Sequence, residues 1–174
     1  MQDFDQLLQR LADAELEFVI VGGYAAISYG SSYLTRDVDI CTALTEENVA
    51  KLRLALRDWN PRHRLTHRRL SFLEFPPPGQ PLNNLYLETD MGIVDVLSSV
   101  LGVGDFSRLK SRAEEVEVDG KRHLVISLED LIQSKEALGR EKDLLTAKEL
   151  RAIAAKRRQM GRSAETGEEG ATPG

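Results

Sequence analysis

Phe4, Leu7, Leu8 and Leu11 recur at helical spacing, which predicts an amphipathic first helix over residues 3–14. The run Glu17-Phe18-Val19-Ile20-Val21 is short and mostly apolar and stops at Gly22-Gly23, the pattern of a buried strand. A second helix is expected from Tyr24 to about Tyr29, ended by Gly30-Ser31-Ser32. From Asp37 to Thr42 polar and apolar residues alternate, as in a strand with two different faces. Thr45-Glu46-Glu47 opens a helix through Trp59, with Leu52, Leu56 and Trp59 on one stripe, and Pro61 ends it.

The middle of the chain carries weaker signals. Arg69 to Phe75 is expected as a strand, and the proline-rich run 76–81 as a loop. Leu85 to Thr89 and Gly92 to Leu97 are expected as two strands around a tight turn at Asp90-Met91. Val116 to Val118 and His123 to Ile126 flank Asp119-Gly120, a hairpin turn signal. Ser127 is placed to cap a helix beginning at Leu128, with Asp130 completing an acidic variant of the capping box. A last helix is predicted over about Glu141 to Arg158, leaving residues 159–174, rich in Gly, Glu, Ser and Thr, as a disordered tail.

Three features on this scaffold carry chemistry. Glycines at 22 and 23, after a strand and before a helix, let backbone approach a ligand and turn amides towards an anion. Asp37 and Asp39 are two apart on a strand, so both carboxylates project from one face. Two such charges close together call for a cation, and a hard oxygen-seeking ion such as Mg²⁺ usually comes with phosphates. Asp95 lies between Val94 and Val96, which would face the core while it joins the acidic face. Taken singly, Gly22-Gly23 also fits a plain turn, and Asp37-x-Asp39 a solvated edge strand. Asp95 is harder to explain structurally, because burying an unpaired carboxylate is costly.

Composition adds limits. At 174 residues, 41% hydrophobic, the chain is long enough for one domain with its own core, expected over residues 1–158. The lone Cys41 cannot build a disulfide framework or a thiolate zinc site, and fits a reducing, cytoplasmic setting. The acidic amino terminus lacks a signal-peptide pattern, and no run nears the ~20 apolar residues that cross a membrane. A net charge of −5 argues against bulk polyanion binding. The segments 62–69 and 142–158 are locally basic; the first reads as a solvated loop or as a contact surface for an RNA acceptor. His63, His67 and His123 read as surface residues rather than metal ligands.

The run Val21-Gly22-Gly23-Tyr24-Ala25-Ala26, then Asp37-Val38-Asp39-Ile40, then Val94-Asp95-Val96, resembles the nucleotidyltransferase superfamily related to polymerase beta. Within it the chain is similar to the AbiEii-type toxin group, whose distal helical motif is matched by Leu128 to Ile132, Lys135 and Arg140 to Asp143. The resemblance implies an α+β fold, a mixed β-sheet flanked by helices with a C-terminal helical segment. It implies Mg²⁺ or Mn²⁺ on Asp37, Asp39 and Asp95, with Asp95 alternatively activating the acceptor hydroxyl. It further implies an NTP held by Gly22, Gly23, Arg36, Lys135 and Asp143. The implied reaction moves NMP onto an RNA (tRNA) or protein hydroxyl, in a toxin paired with an antitoxin protein. Gly23 stands where many members have Ser, and Tyr33 where relatives show arginine, with Arg36 just after Thr35. Tyr33 leaves a second reading open, a regulatory module that binds nucleotide without turnover.

Overall fold

The computed structural model describes residues 2–168. Helix α1 (Phe4–Asp13) starts where the Asp3 carboxylate accepts from the Gln6 amide, and buries Leu7, Leu8 and Leu11. Strand β1 (Val19–Val21) runs directly into α2 (Gly22–Ser28). Strand β2 (Asp37–Cys41) precedes α3 (Glu46–Leu56), whose Thr45 cap accepts from the Asn48 amide. A single 3-10 turn carries that helix on to the buried Trp59.

Strands β3 (Arg62–His63), β4 (Asn84–Thr89) and β5 (Gly92–Leu97) follow. A separate two-stranded ribbon, β6 (Ser99–Val100) with β7 (Gly104–Asp105), leads to α4 (Phe106–Arg112). The hairpin β8 (Glu114–Val118) and β9 (Lys121–Val125) leads to α5 (Leu128–Leu138) and α6 (Glu141–Glu168).

Seven strands form one sheet in the order β3-β4-β5-β2-β1-β9-β8. It is mixed: β2 runs parallel to β5 and β1 parallel to β9, while β1–β2, β4–β5, β3–β4 and β8–β9 are antiparallel. This is the α+β arrangement expected, a mixed sheet flanked by helices and closed by a helical segment. Val38 and Ile40, Val94 and Val96, and Leu85 and Leu87 alternate with polar neighbours on the three central strands and are buried in one core with α1 and α3. Period-2 patterning thus fixes one face of the sheet as core and frees the intervening positions of β2, β5 and β4 for chemistry.

Two expectations need correction, and one structured segment gave no signal. Arg69 to Phe75 is not a strand: only an isolated bridge links Arg62 to Ser71. The segment folds back on β3 through His63 N–H to Leu70 C=O and Phe72 N–H to Pro61 C=O, with Arg69 at φ +47. A left-handed residue breaks the extended pattern that an apolar-looking run suggested. The segment 99–112 had no assignment, yet holds the ribbon and α4; seven residues with one buried anchor, Leu109, give too little periodicity to detect. Finally α6 continues to Glu168, so residues 159–168, expected in the tail, are helical. Arg, Ala and Glu propagate a helix, and Pro173 is the next strong breaker after Arg158. The remaining tail positions, 169–174, lie outside the described residues.

The Ser127 cap is present: its Oγ accepts from the Asp130 amide at 3.2 Å. The reciprocal half of the box is not made. Asp130, 1% exposed, instead receives Arg108 at 3.0 Å and Arg112 at 3.5 Å. Its carboxylate therefore ties α5 to α4. Ser127→Ala should lower unfolding stability by about 1 kcal/mol. Urea titration followed by the fluorescence of the single, buried Trp59 measures this; an unchanged midpoint would show that the cap contributes nothing.

Candidate active site

The sheet register builds the site. Val21 pairs with Asp39, Asp39 with Asp95, and Asp95 with Tyr86, across β1, β2, β5 and β4. Directly paired residues project from the same face, so Asp39 and Asp95 are neighbours and Asp37 lies two positions along on that face. Ligand oxygens of Asp37, Asp39 and Asp95 all fall within 4.8 Å of one another. An all-oxygen donor set of that size suits a hard divalent cation.

The glycines shape this centre sterically. Gly22 has φ +67, and a Cβ built there would sit 2.1 Å from Asp39 Oδ2. Any side chain at 22 would thus displace the carboxylate as well as strain the backbone. At Gly23 a Cβ would meet Thr35 Oγ1 at 3.0 Å. That hydroxyl donates to the Asp37 carbonyl at 3.0 Å and lies 3.2 Å from Asp37 Oδ1, so it fixes the start of β2.

Cations arrive from two directions. From the helical side, Lys135 on α5 approaches Asp143 at 3.7 Å, and Arg140 donates to Asp143 at 2.6 Å. From the segment after β3, the Arg64 guanidinium holds the Asp95 carboxylate with two contacts, one of them Nε to Oδ1 at 3.2 Å. Arg64 also lies over the Tyr86 ring, 5.5 Å from its centroid. Glu149 of α6 accepts from the Ser32 amide at 2.8 Å and from Ser31, pinning the loop that brings Tyr33 to the rim. The result is one cleft of about 520 Å³ lined by Gly23, Asp37, Asp39, Asp95, Arg64, Lys135, Arg140, Lys142 and Asp143 among others.

Four carboxylates and four cations line the cleft, but they are unevenly paired. Burial, reinforced by Asp37 and Asp95, pushes the Asp39 carboxyl up to about 7, against the pull of Lys135 and Arg64. Burial also raises Asp95, with Arg64 opposing. Asp143 goes the other way: burial would raise it, but the Arg140 hydrogen bond and the Lys135 charge hold it low. Asp143 is a compensated structural carboxylate that positions Lys135 and Arg140. Asp37 and Asp39 are the pair that still lacks a positive partner of matching strength, which is where a divalent ion fits.

Of the residues singled out in the sequence, Gly23, Asp37, Asp39, Asp95, Lys135 and Asp143 line this cleft, and Gly22 stands behind Asp39. Arg36 is exposed and is not among the lining residues, one position off the alternation that points Asp37 and Asp39 inward. Tyr33 does line the cleft, at its rim. Arg64, Tyr86 and Thr35 belong to the site and were not anticipated, while Arg140 and Lys142 stood in the distal motif without a role of their own. For Arg64 the basic run 62–69 was a signal, but it read equally well as a solvated loop.

No family model matches the chain, and no curated protein matches it. Solved structures do. A candidate nucleotidyltransferase from Thermotoga maritima superposes with a TM-score of 0.53 at 20% identity, covering 88% of this chain and 91% of that one. The lincosamide antibiotic adenylyltransferase LnuA, bound to lincomycin, gives 0.59 at 15% identity over 87% and 98% of the two chains. The antibiotic-resistance factor ANT(2'')-Ia gives 0.55 at 12% identity over 97% and 96%. The chain has the nucleotidyltransferase fold. In this nucleotidyltransferase fold the three aspartates occupy the open face of the central strands, and the superposition extends over nearly the whole of each neighbour.

The raised Asp39 carboxyl has a consequence for stability. In the unfolded chain that group ionises near its ordinary 3.8; in the folded protein it holds its proton to about 7. The folded state therefore binds the proton more tightly, and its advantage, present at low pH, is lost as pH rises through 7. The whole shift corresponds to on the order of 4 kcal/mol. Without divalent cation, wild type should lose stability between pH 5 and 8 relative to Asp39→Asn, and saturating Mg²⁺ should recover it. Parallel urea curves at both pH values, with chelator and with Mg²⁺, decide this.

Proposed function

We propose that the protein transfers a nucleoside monophosphate from an NTP to a hydroxyl group, using divalent metal held by Asp37, Asp39 and Asp95. The observation that carries this is the convergence of three carboxylates within 4.8 Å beside Gly22-Gly23, facing Lys135, Arg140 and Lys142 across one cleft. Mg²⁺ bound there would neutralise charge on the triphosphate and polarise the reacting phosphate. The α2 start and the cations of α5 and α6 would receive the phosphates. The acceptor oxygen bonds to the α-phosphorus, the bond to pyrophosphate breaks, and pyrophosphate leaves with the electron pair. Asp95, the carboxylate nearest β4, takes the acceptor proton, and Arg64 keeps that carboxylate aimed into the cleft.

Two neighbours support the donor side. LnuA is an adenylyltransferase, and a further ANT(2'')-Ia structure, TM-score 0.50, holds adenylyl-2''-tobramycin. ATP is accordingly the first donor to try. The resemblance to the AbiEii group supplies RNA and protein hydroxyls as rival acceptors, and an antitoxin as partner. Tyr33, standing on the cleft rim in the arginine's place, favours one other reading, a module that binds nucleotide without turnover. Arg64 weighs against it, because it brings a guanidinium into the cleft from another element.

Incubation with α-labelled ATP and Mg²⁺, against small alcohols, total RNA and cell protein, tests the proposal. Wild type should label an acceptor, and Asp39→Asn should lose about 10³-fold in rate. Nucleotide-dependent stabilisation with no labelled acceptor would favour the binding module; label transfer unaffected in Asp39→Asn would refute the assigned site.

A further inference from the structure

A second cavity, of about 360 Å³, opens beside the carboxylate cleft and differs from it in character. Its walls include Leu65, Leu70, Phe75, Pro76, Leu82 and Tyr86, and its lining contains no Asp, Glu, Lys or Arg. Tyr86 lines both cavities. Because Tyr86 is paired with Asp95 in the β4–β5 register, a wall of the apolar cavity stands on the strand next to a carboxylate of the site. Arg64 marks the same boundary: His63 and Leu65 on either side of it line the cavity, while its own guanidinium sits on Asp95.

Much of the polar lining is already engaged. His63 Nε2 is 2.8 Å from the Phe75 carbonyl, Asn84 Nδ2 donates to Tyr86 Oη at 3.3 Å, and Thr66 Oγ1 donates to the His63 carbonyl at 3.0 Å. What faces an incoming molecule is mainly hydrocarbon. Leu65 and Phe75 are 65% and 42% exposed, so apolar side chains are held in water at the entrance. Adjacent apolar exposure of this kind marks a binding surface. The volume lies within the range of small-molecule sites.

Resting on the transferase reading above, the geometry points to this cavity as the acceptor site, and to the acceptor as a small, uncharged alcohol or phenol with an apolar body. The body fills the cavity against Leu65, Phe75 and Tyr86, and the hydroxyl reaches past Tyr86 and the Arg64 guanidinium to Asp95. There its oxygen attacks the α-phosphorus, its proton passes to Asp95, and pyrophosphate departs. RNA fits poorly, because the lining offers no cation for its phosphates. A polycationic acceptor fits poorly as well, because the lining offers no carboxylate.

Binding of 2-naphthol to the full chain, followed by its fluorescence without nucleotide, tests the cavity independently of turnover. Saturable binding is expected, weakened at least 10-fold by Leu65→Asp and by Phe75→Asp, with wild-type melting temperatures and wild-type ATP–Mg²⁺ stabilisation retained. Both substitutions are at exposed positions, and either one suffices if the other misfolds. No saturable binding, or binding unchanged in a folded variant, overturns the cavity whatever the transferase result. Naphthol binding that depends on Leu65, with no acceptor labelled in the transfer assay, overturns the transferase reading instead. In that assay apolar alcohols should be labelled at least 10-fold faster than tobramycin or RNA; the reverse order overturns the acceptor class.

Discussion

Asp37, Asp39 and Asp95 crowd into 4.8 Å on the open face of two parallel strands, and much of the surrounding structure answers that crowding. Burial, with that repulsion added to it, raises Asp39 to about 7, an energetic cost the fold accepts at one place. Gly22 is glycine because a Cβ would strike the Asp39 carboxylate. Thr35 steadies the start of β2, and Arg64 neutralises Asp95 from outside the sheet. The opposite face of the same strands carries Val38, Ile40, Val94 and Val96, so the hydrophobic core supplies the rigidity that holds like charges together.

The two sides of the centre are chemically unlike. Towards α5 and α6 lie Lys135, Arg140 and Lys142, with Asp143 holding the first two in place. Towards the segment between β3 and β4 the cleft's charged lining ends at Arg64, and an apolar cavity follows. Highly charged phosphates and an uncharged body would therefore be sorted by the protein before any reaction begins. The shared Tyr86 sits where these sides meet.

The central strands were legible in the sequence because period-2 alternation is local. Asp37-Val38-Asp39-Ile40 and Val94-Asp95-Val96 announce both strand and face. The Thr45 and Ser127 caps were legible for the same reason, each needing only three residues. Register was not. That Asp39 sits opposite Asp95 follows from a parallel crossover that no local pattern encodes, whereas the turn at Asp90-Met91 already sets Asp95 opposite Tyr86. Arg64 was hidden by this: its partner is 31 positions away, and four arginines in one run look alike without the pairing. Arg36 illustrates the converse. Its sequence position beside Thr35 suggested a phosphate contact, yet the alternation that turns Asp37 inward already argued against it.

Tyr33 and Arg64 are best understood together. An arginine serves a site by where its guanidinium ends, and its place in the chain is secondary. The loop carrying Tyr33 is tied to α6 through Glu149, so this position is held at the cleft rim. A guanidinium nevertheless reaches the carboxylates, delivered by the turn after β3 and steadied by the Tyr86 ring and by its own amide bonded to the Tyr86 carbonyl at 3.0 Å. The place of that charge has a structural consequence. It leaves the cation on the wall shared with the apolar cavity, where it holds Asp95 beside the place an acceptor would enter. Tyr33 therefore bears on how the rim of the cleft is arranged, and the guanidinium of the site comes from Arg64.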